Sequence, residues 1–264
     1  MSRLLALFYG AASYTIFLLT FLYAIAFVSG LGVPRHIDHA RSAPMAVALL
    51  VDLLLLGLFA VQHSGMARPA FKRWWKRFVP GAIERSTYVL ISSLLLALLF
   101  WQWHELPLSI WQVDSPALRW LLYGIAGMGW LLVLASTFLI NHFDLFGLRQ
   151  VWRHVHHLDV YLDTPFVTRA FYRIVRHPLM LGFLIAFWST PSMSLGHLLF
   201  ALMTTGYILV AVKFLEERDL VAQFGDTYRD YQRSVPMFLP WRRPRRPPES
   251  EGSPHASKTR AANA

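Results

Sequence analysis

The sequence predicts an all-α fold: a polytopic transmembrane helical bundle of five to six spans, the last two forming a carboxyl-terminal helical hairpin. Three observations carry this. Of 264 residues, 55% are hydrophobic and only 15% charged, a balance too apolar for a water-soluble domain of this length. Apolar runs of bilayer length, roughly 20 residues, recur along the chain. Lys and Arg gather in the loops between those runs, where they act as topology signals.

Residues 4 to 29 are apolar apart from scattered Ser, Thr, Tyr and Gly. No small-residue cleavage site follows a short core, so the stretch reads as a retained span and not a signal peptide. Further spans fall near 44 to 62, 86 to 103 and 117 to 140. Residues 179 to 190 form a shorter apolar stretch that ends in Ser189-Thr190-Pro191-Ser192, and 195 to 213 follows after the turn. These two read as a hairpin whose first arm is short for a full crossing.

The loop 66 to 85 carries Arg68, Lys72, Arg73, Lys76, Arg77 and Arg85 against Glu84, whereas 104 to 116 has Glu105 and Asp114 and no Lys or Arg. By the positive-inside rule the first loop is cytoplasmic and the second external. Counting spans then places the amino terminus, the loop 141 to 177 and everything beyond 213 on the cytoplasmic face. Lys72, Trp74, Trp75 and Phe78 suit an anchor in the headgroup layer. Residues 1 to 240 read as one transmembrane domain. Residues 241 to 264, rich in Arg, Pro, Ser and Ala, read as a disordered basic tail in contact with anionic membrane lipid.

The formal charge of +10 suggests nucleic acid at first sight, but its placement beside apolar spans excludes that reading. With no Cys in the chain, disulfides, thiolate metal sites and a cysteine nucleophile are excluded. The densest histidine cluster, His154-x-His156-His157, has a spacing that spreads its rings around a helix. No bound metal is expected from it.

The chemistry-bearing residues concentrate in the carboxyl-terminal third. Pro178 suits a first helical turn, since its missing donor would be unpaired there anyway. Arg176 and His177 then flank a helix amino end, which favours an anion. Glu216 and Glu217 stand about 100° apart around a helix, so one faces the bundle and the other is free. Lys213 offers Glu217 an ordinary i,i+4 partner. A basic group opposite paired acids suits a zwitterionic ligand. The loop from 141 adds His142, His157 and Asp159 as acid-base candidates. His63 and His197 read as helix-packing residues, and Asp52 lacks a partner in sequence.

The pattern Arg176-His177-Pro178-x-x-x-Gly182, then Glu216-Glu217-x-x-Leu220-x-x-x-Phe224-Gly225-x-x-Tyr228-x-x-Tyr231-x-x-x-Val235-Pro236, resembles the membrane methyltransferase family of isoprenylcysteine carboxyl methyltransferase and bacterial phospholipid methyltransferases. Asn141-His142-Phe143-Asp144-Leu145-Phe146-Gly147-Leu148-Arg149 and the six-span layout look closest to its methanethiol S-methyltransferase branch, a likeness that extends to about Pro240. Met180 stands where the family usually has Tyr. The resemblance implies S-adenosylmethionine as methyl donor, bound in the region 141 to 240. It points to Arg176, His177, Pro178, Gly182, Tyr228, Tyr231 and one or both of Glu216 and Glu217 as cofactor-binding residues. It also implies a bacterial inner-membrane location and a small thiol substrate, methanethiol, converted to dimethyl sulfide. A prenylcysteine carboxylate or a phospholipid amine as acceptor, or an accessory protein of the NnrU type, are the alternatives.

Methyl transfer from a sulfonium to a thiolate cancels opposite charges, so a dry site favours it. A thiol near the cysteine reference of roughly 8.5 is mostly protonated at neutral pH, so a base is expected. His142, His157 and Asp159 are the sequence candidates for that catalytic role, with Arg176 as an alternative thiolate stabiliser.

Overall fold

A computed structural model describes residues 2–159, 166 and 168–240. The basic tail expected beyond Pro240 lies outside the described residues. Eleven α-helices dominate among the described residues. Five helical stretches among the described residues are long and apolar enough to cross a membrane.

Helix α1 (Arg3–Ser29) starts at Ser2, whose hydroxyl accepts from the Leu5 amide, and stops at Gly30 in a left-handed conformation, φ 70°. Helix α2 (Met45–Ala67) is followed at once by the short helix α3 (Pro69–Trp75), with Pro69 in its first turn. Phe71, Trp74, Trp75 and Phe78 form a chain of ring contacts there. Helix α4 (Gly81–Gln102) returns across the bundle. Helix α5 (Pro116–Ile140) comes back, followed by the short α6 (His142–Leu145) and α7 (Leu148–Val155). Leu54, Trp120 and Leu131 are each more than half exposed, which gives α2 and α5 apolar outer faces suited to lipid.

Helix α8 (Pro178–Trp188) is the hairpin's first arm. At 1.5 Å per residue its 11 residues span about 16 Å, half a hydrocarbon core of about 30 Å. The short arm does not cross by itself. It lies along α5, and the two backbones touch: a Cβ on Gly182 would sit 2.7 Å from the Gly129 carbonyl oxygen, and one on Gly129 would sit 2.7 Å from that of Gly182. Only glycine fits at either position. Gly182 also meets Val133, so Pro178, one turn earlier, comes level with the last turns of α5.

Helix α9 (Leu195–Ala211) is the second arm. It runs without a break into a π-helical turn at Val212–Glu216 and then into α10 (Glu217–Phe224), and α11 (Asp226–Ser234) folds back after Gly225.

The end of the bundle opposite Pro178 is closed by a two-stranded antiparallel ribbon, β1 (Ser109–Gln112) with β2 (Ser192–Ser194). Beneath it lies the main core, in which Phe27, Ile37, Leu99, Trp103 and Phe200 are almost completely buried. The Trp103 indole donates to the Ile37 carbonyl at 3.1 Å. Asp52, partnerless in sequence, accepts the His104 amide at 3.0 Å. A buried carboxylate inside a span thus holds the chain leaving α4.

Candidate active site

The site grows from the start of α8. Arg176 and His177 immediately precede Pro178, and their amides donate to the carbonyls of Pro236 at 2.9 Å and Met237 at 3.2 Å. The segment after α11 therefore lies against the entrance to α8. This brings residues about 60 positions apart into register.

Glu217, the first residue of α10, is buried. The Arg176 Nε donates to its Oε1 at 2.7 Å, the His177 Nε2 lies 3.2 Å from the same oxygen, and Gln232 Nε2 donates to Oε2 at 3.0 Å. Arg176 also donates through Nη1 to the carbonyls of Gln232 at 3.0 Å and Val235 at 2.6 Å. Glu216 stays 44% exposed at its side chain, with Oε1 3.6 Å from His177 Nδ1. One acid is sunk in the bundle and its neighbour is open, as their offset around the helix predicts. The i,i+4 pairing of Glu217 with Lys213 does not form. The π turn between them closes with the Glu217 amide bonded to the Val212 carbonyl, and its extra residue turns Glu217 inward. Lys213 instead lies 5.5 Å over the Phe214 ring.

His177 bridges two carboxylates. Burial alone disfavours its imidazolium, but the bonds and charges of Glu216 and Glu217 outweigh that and raise its pKa above the ordinary 6.5. The sign follows: a folded-state pKa above the unfolded one contributes stability in full below the ordinary value, and loses it as pH rises through the raised value. The midpoint of thermal unfolding in detergent should fall on the alkaline side of neutrality, and a His177→Asn variant should lose that alkaline slope. Identical slopes for the two proteins would refute the assignment.

Tyr228 and Tyr231 are both buried in an aromatic cluster with Phe166 and Phe224. The Tyr231 hydroxyl donates to the Tyr172 carbonyl at 2.5 Å, which fastens α11 to the 3₁₀ turn at Ala170–Arg173. Apart from that hydrogen bond, the contacts of both tyrosines are ring packing within this cluster. Gly182 lies one turn beyond Pro178, with its open side filled by Gly129 of α5.

The loop candidates bond to groups outside that cluster. His142 is buried, with Nε2 2.8 Å from the Tyr14 hydroxyl and Nδ1 2.8 Å from Thr137 Oγ1, and its ring stacks on Phe138 at 4.2 Å. Burial holds its pKa below the ordinary value, so it is neutral at neutral pH. His157 takes a left-handed φ of 58°, and its Nδ1 lies 3.0 Å from an Arg3 guanidinium nitrogen. The Asp159 carbonyl accepts from Arg153. His142, His157 and Asp159 thus have three separate sets of partners. Among the described residues, no three His, Asp or Glu side chains converge in a way that could hold a metal ion.

A surface groove of about 340 Å³ opens beside Glu217, with Lys213, Arg218, Arg229 and Gln232 on its walls. Cations line the groove, and the half-open Glu216 carboxylate stands near His177. Together they match a ligand with one anionic and one cationic end. Gln232, which no motif in the sequence marks, is the site residue the pattern missed. Its only signal is its place on α11, one position after Tyr231.

These features define a class: a polytopic helical membrane protein with a charged site buried where its carboxyl-terminal hairpin meets the segment after α11. A Mycobacterium tuberculosis protein named methanethiol S-methyltransferase is 58% identical over 244 residues, 91% of this chain and 98% of its own length. Methanethiol S-methyltransferase 2 of Bradyrhizobium diazoefficiens is 54% identical over 253 residues, 96% of each chain. Nurim of Rattus norvegicus is 34% identical over 181 residues, 66% of this chain and 68% of its own. The chain belongs to the methanethiol S-methyltransferase family. No family model matches it, and no solved structure matches it.

Proposed function

We propose that this protein transfers a methyl group from S-adenosylmethionine to methanethiol, giving dimethyl sulfide by direct displacement, in a bacterial inner membrane with its site facing the cytoplasm. The observation that carries the reading is the 58% identity with a methanethiol S-methyltransferase across nearly the whole of both chains. Residues 1 to 240 act as one unit, with the cofactor held by its part from 141 onward.

The charged cluster fits the cofactor's chemistry. Lys213, Arg218 and Arg229 on the groove walls would receive the carboxylate, and the half-exposed Glu216 carboxylate would face the cationic end. Arg176, His177 and Glu217 set the walls: their mutual bonds are already made, so little reorganisation accompanies binding. Pro178 and Gly182 fix the start of α8 against α5, while Tyr228 and Tyr231 hold α11 over the cluster. When bound, the cofactor supplies an electrophilic methyl on a sulfonium. The chain supplies position, exclusion of water and a place for the thiol proton.

The test uses purified protein in detergent with S-adenosylmethionine and methanethiol, following dimethyl sulfide in the headspace. The parent should make it and a Glu216→Ala, Glu217→Ala double variant should not. Cofactor binding without product would discard methanethiol as acceptor. Loss of both binding and product in the folded parent would overturn the methyltransferase reading.

A further inference from the structure

Helix α3 and the turn after it form an amphipathic platform beside the end of α2, and the cofactor cluster does not use it. Main-chain bonds carry the turn past Trp75: the Lys76 amide donates to the Lys72 carbonyl and the Val79 amide to that of Trp75, both at 3.0 Å. At about 100° per residue, Phe71, Trp74, Trp75 and Phe78 fall within one arc, and Lys72, Arg73, Lys76 and Arg77 fall on the opposite side. The aromatic arc is continuous, with ring centroids 5.3 Å apart for Phe71–Trp74, 5.6 Å for Phe71–Trp75 and 5.3 Å for Trp74–Phe78. Trp74 is 47% exposed and Phe78 67%, so much of this face is open. Helix α2, long and apolar enough to cross a membrane, ends at Ala67, and the platform follows where the chain leaves the hydrocarbon. Aromatic rings on such a helix settle into the headgroup layer.

The cation side lacks counter-charge. Among the described residues, Lys72, Arg73 and Arg77 form no salt bridge. Arg73 and Arg77 are exposed. Lys72 is held below the ordinary lysine range by burial first, then by the charges of Arg85, Lys76 and Arg68, with Glu84 alone acting the other way. Cations crowded in this way repel one another, and an anion seated on them relieves the repulsion. For a helix at headgroup level, the anion within reach is the phosphate of a phospholipid. A zwitterionic headgroup carries its own cation, so a lipid with net negative charge fits this face better.

The platform is tied to the cofactor cluster at its first residue. Arg68 caps the end of α2 and precedes Pro69 of α3. Its Nε donates to the Ser64 carbonyl at 3.2 Å, and its Nη1 pairs with Asp219 at 3.0 Å. Asp219 stands in the first turn of α10, two residues after the buried Glu217. The Arg68 and Asp219 side chains are 28% and 42% exposed, so water screens the pair, and its effect on an equilibrium reaches about fivefold at most.

We propose that the cation face of α3 binds the headgroup of an anionic phospholipid, and that this lipid, by holding α3 in place, steadies α10 through Arg68 and Asp219 and tightens the cofactor's hold. The second half rests on the S-adenosylmethionine reading above. Each Lys or Arg at an anionic membrane surface contributes about fivefold to binding. Four of them on one face give a preference for anionic over zwitterionic lipid well above tenfold.

The experiment uses the full chain. Native mass spectrometry counts the lipid retained by detergent-purified protein that is offered phosphatidylglycerol and phosphatidylcholine in equal amounts. Calorimetry measures S-adenosylmethionine affinity in nanodiscs of phosphatidylcholine alone or of the equal mixture. The parent should retain phosphatidylglycerol preferentially and lose that preference at about 1 M salt, where the screening length is about 3 Å. It should bind the cofactor up to about fivefold more tightly in the mixture. A variant combining Lys72→Gln, Arg73→Gln, Lys76→Gln and Arg77→Gln should lose both effects, and it controls for the general attraction of a cationic cofactor to an anionic disc. Asp219→Asn should keep the lipid preference and lose only the lipid dependence of affinity. Equal retention of the two lipids by the parent, or an undiminished preference in the four-site variant, would overturn the site. Equal parent affinity in the two discs, or a lipid dependence that survives in Asp219→Asn, would overturn the link. Soluble glycerophosphoglycerol should leave affinity unchanged; a full response to it would replace the membrane contact with a free-phosphate site. If S-adenosylmethionine bound in neither disc, the cofactor reading would fail, while the lipid preference would still decide the site.

Discussion

Glu217→Gln is expected to remove nearly all cofactor affinity and to lower stability by about 3 kcal/mol or more. The side chain keeps its shape but loses its charge, while Arg176 and His177 stay in place around it. Arg176 and Glu217 side chains are each 9% exposed, and breaking a buried pair on one side leaves an uncompensated charge that costs about 3 to 5 kcal/mol. Glu216 is the internal control. At 44% side-chain exposure its contact with His177 is screened by water, so Glu216→Gln should change stability by about 1 kcal/mol at most while still weakening the cofactor's hold. Thermal unfolding in detergent and calorimetric titration with S-adenosylmethionine, run on both variants, measure the two effects separately. If both variants proved equally stable, the buried ion pair would not be holding this corner of the fold.

That asymmetry between neighbouring acids was partly legible from the chain. The roughly 100° step between adjacent helical residues says that one of Glu216 and Glu217 faces inward, but not which. The π turn at Val212–Glu216 decides it, and no residue pattern announces a π turn. The spans were legible because a bilayer imposes a length and a polarity on the sequence itself. Predicted spans near 4 to 29, 44 to 62 and 117 to 140 lie within a few residues of α1, α2 and α5. The hairpin of a short and a long arm was visible in the Ser189-Thr190-Pro191-Ser192 break. Contacts that join distant segments were not visible: Asp52 with the His104 amide, Gln232 with Glu217, and the β1–β2 ribbon depend on three-dimensional closure. His63 fell in the same gap. A single histidine near a span end reads as a hydrogen-bonded packing residue, and the partners it bonds, Tyr88 and Ser92, lie a full loop and helix later.

Arg176→Lys is expected to free the segment after α10 while leaving the spans folded. Arg176 reaches three separate acceptors at once: Glu217 through Nε, and the carbonyls of Gln232 and Val235 through Nη1. A lysine ammonium is a point charge on a flexible stem and does not reproduce a planar fork. It can keep the charge pairing with Glu217 but gives up the two carbonyls. Hydrogen bonds to charged donors contribute about 1.5 to 3 kcal/mol each, so about 3 kcal/mol of local stability should vanish, which is about a hundredfold in the population of the detached segment. The main-chain bonds from Arg176 and His177 to Pro236 and Met237 hold the same segment and would open with it. Arg229 and Arg233 lie on α11 with side chains more than half exposed, so trypsin reports the opening directly: cleavage there should accelerate by about two orders of magnitude in the variant. Unchanged cleavage would mean that the aromatic cluster of Tyr228 and Tyr231 alone holds α11 in place. Faster cleavage with intact spans would show that one guanidinium both neutralises the buried acid and clamps the site's outer wall, so cofactor affinity should fall in proportion to the time the wall spends open.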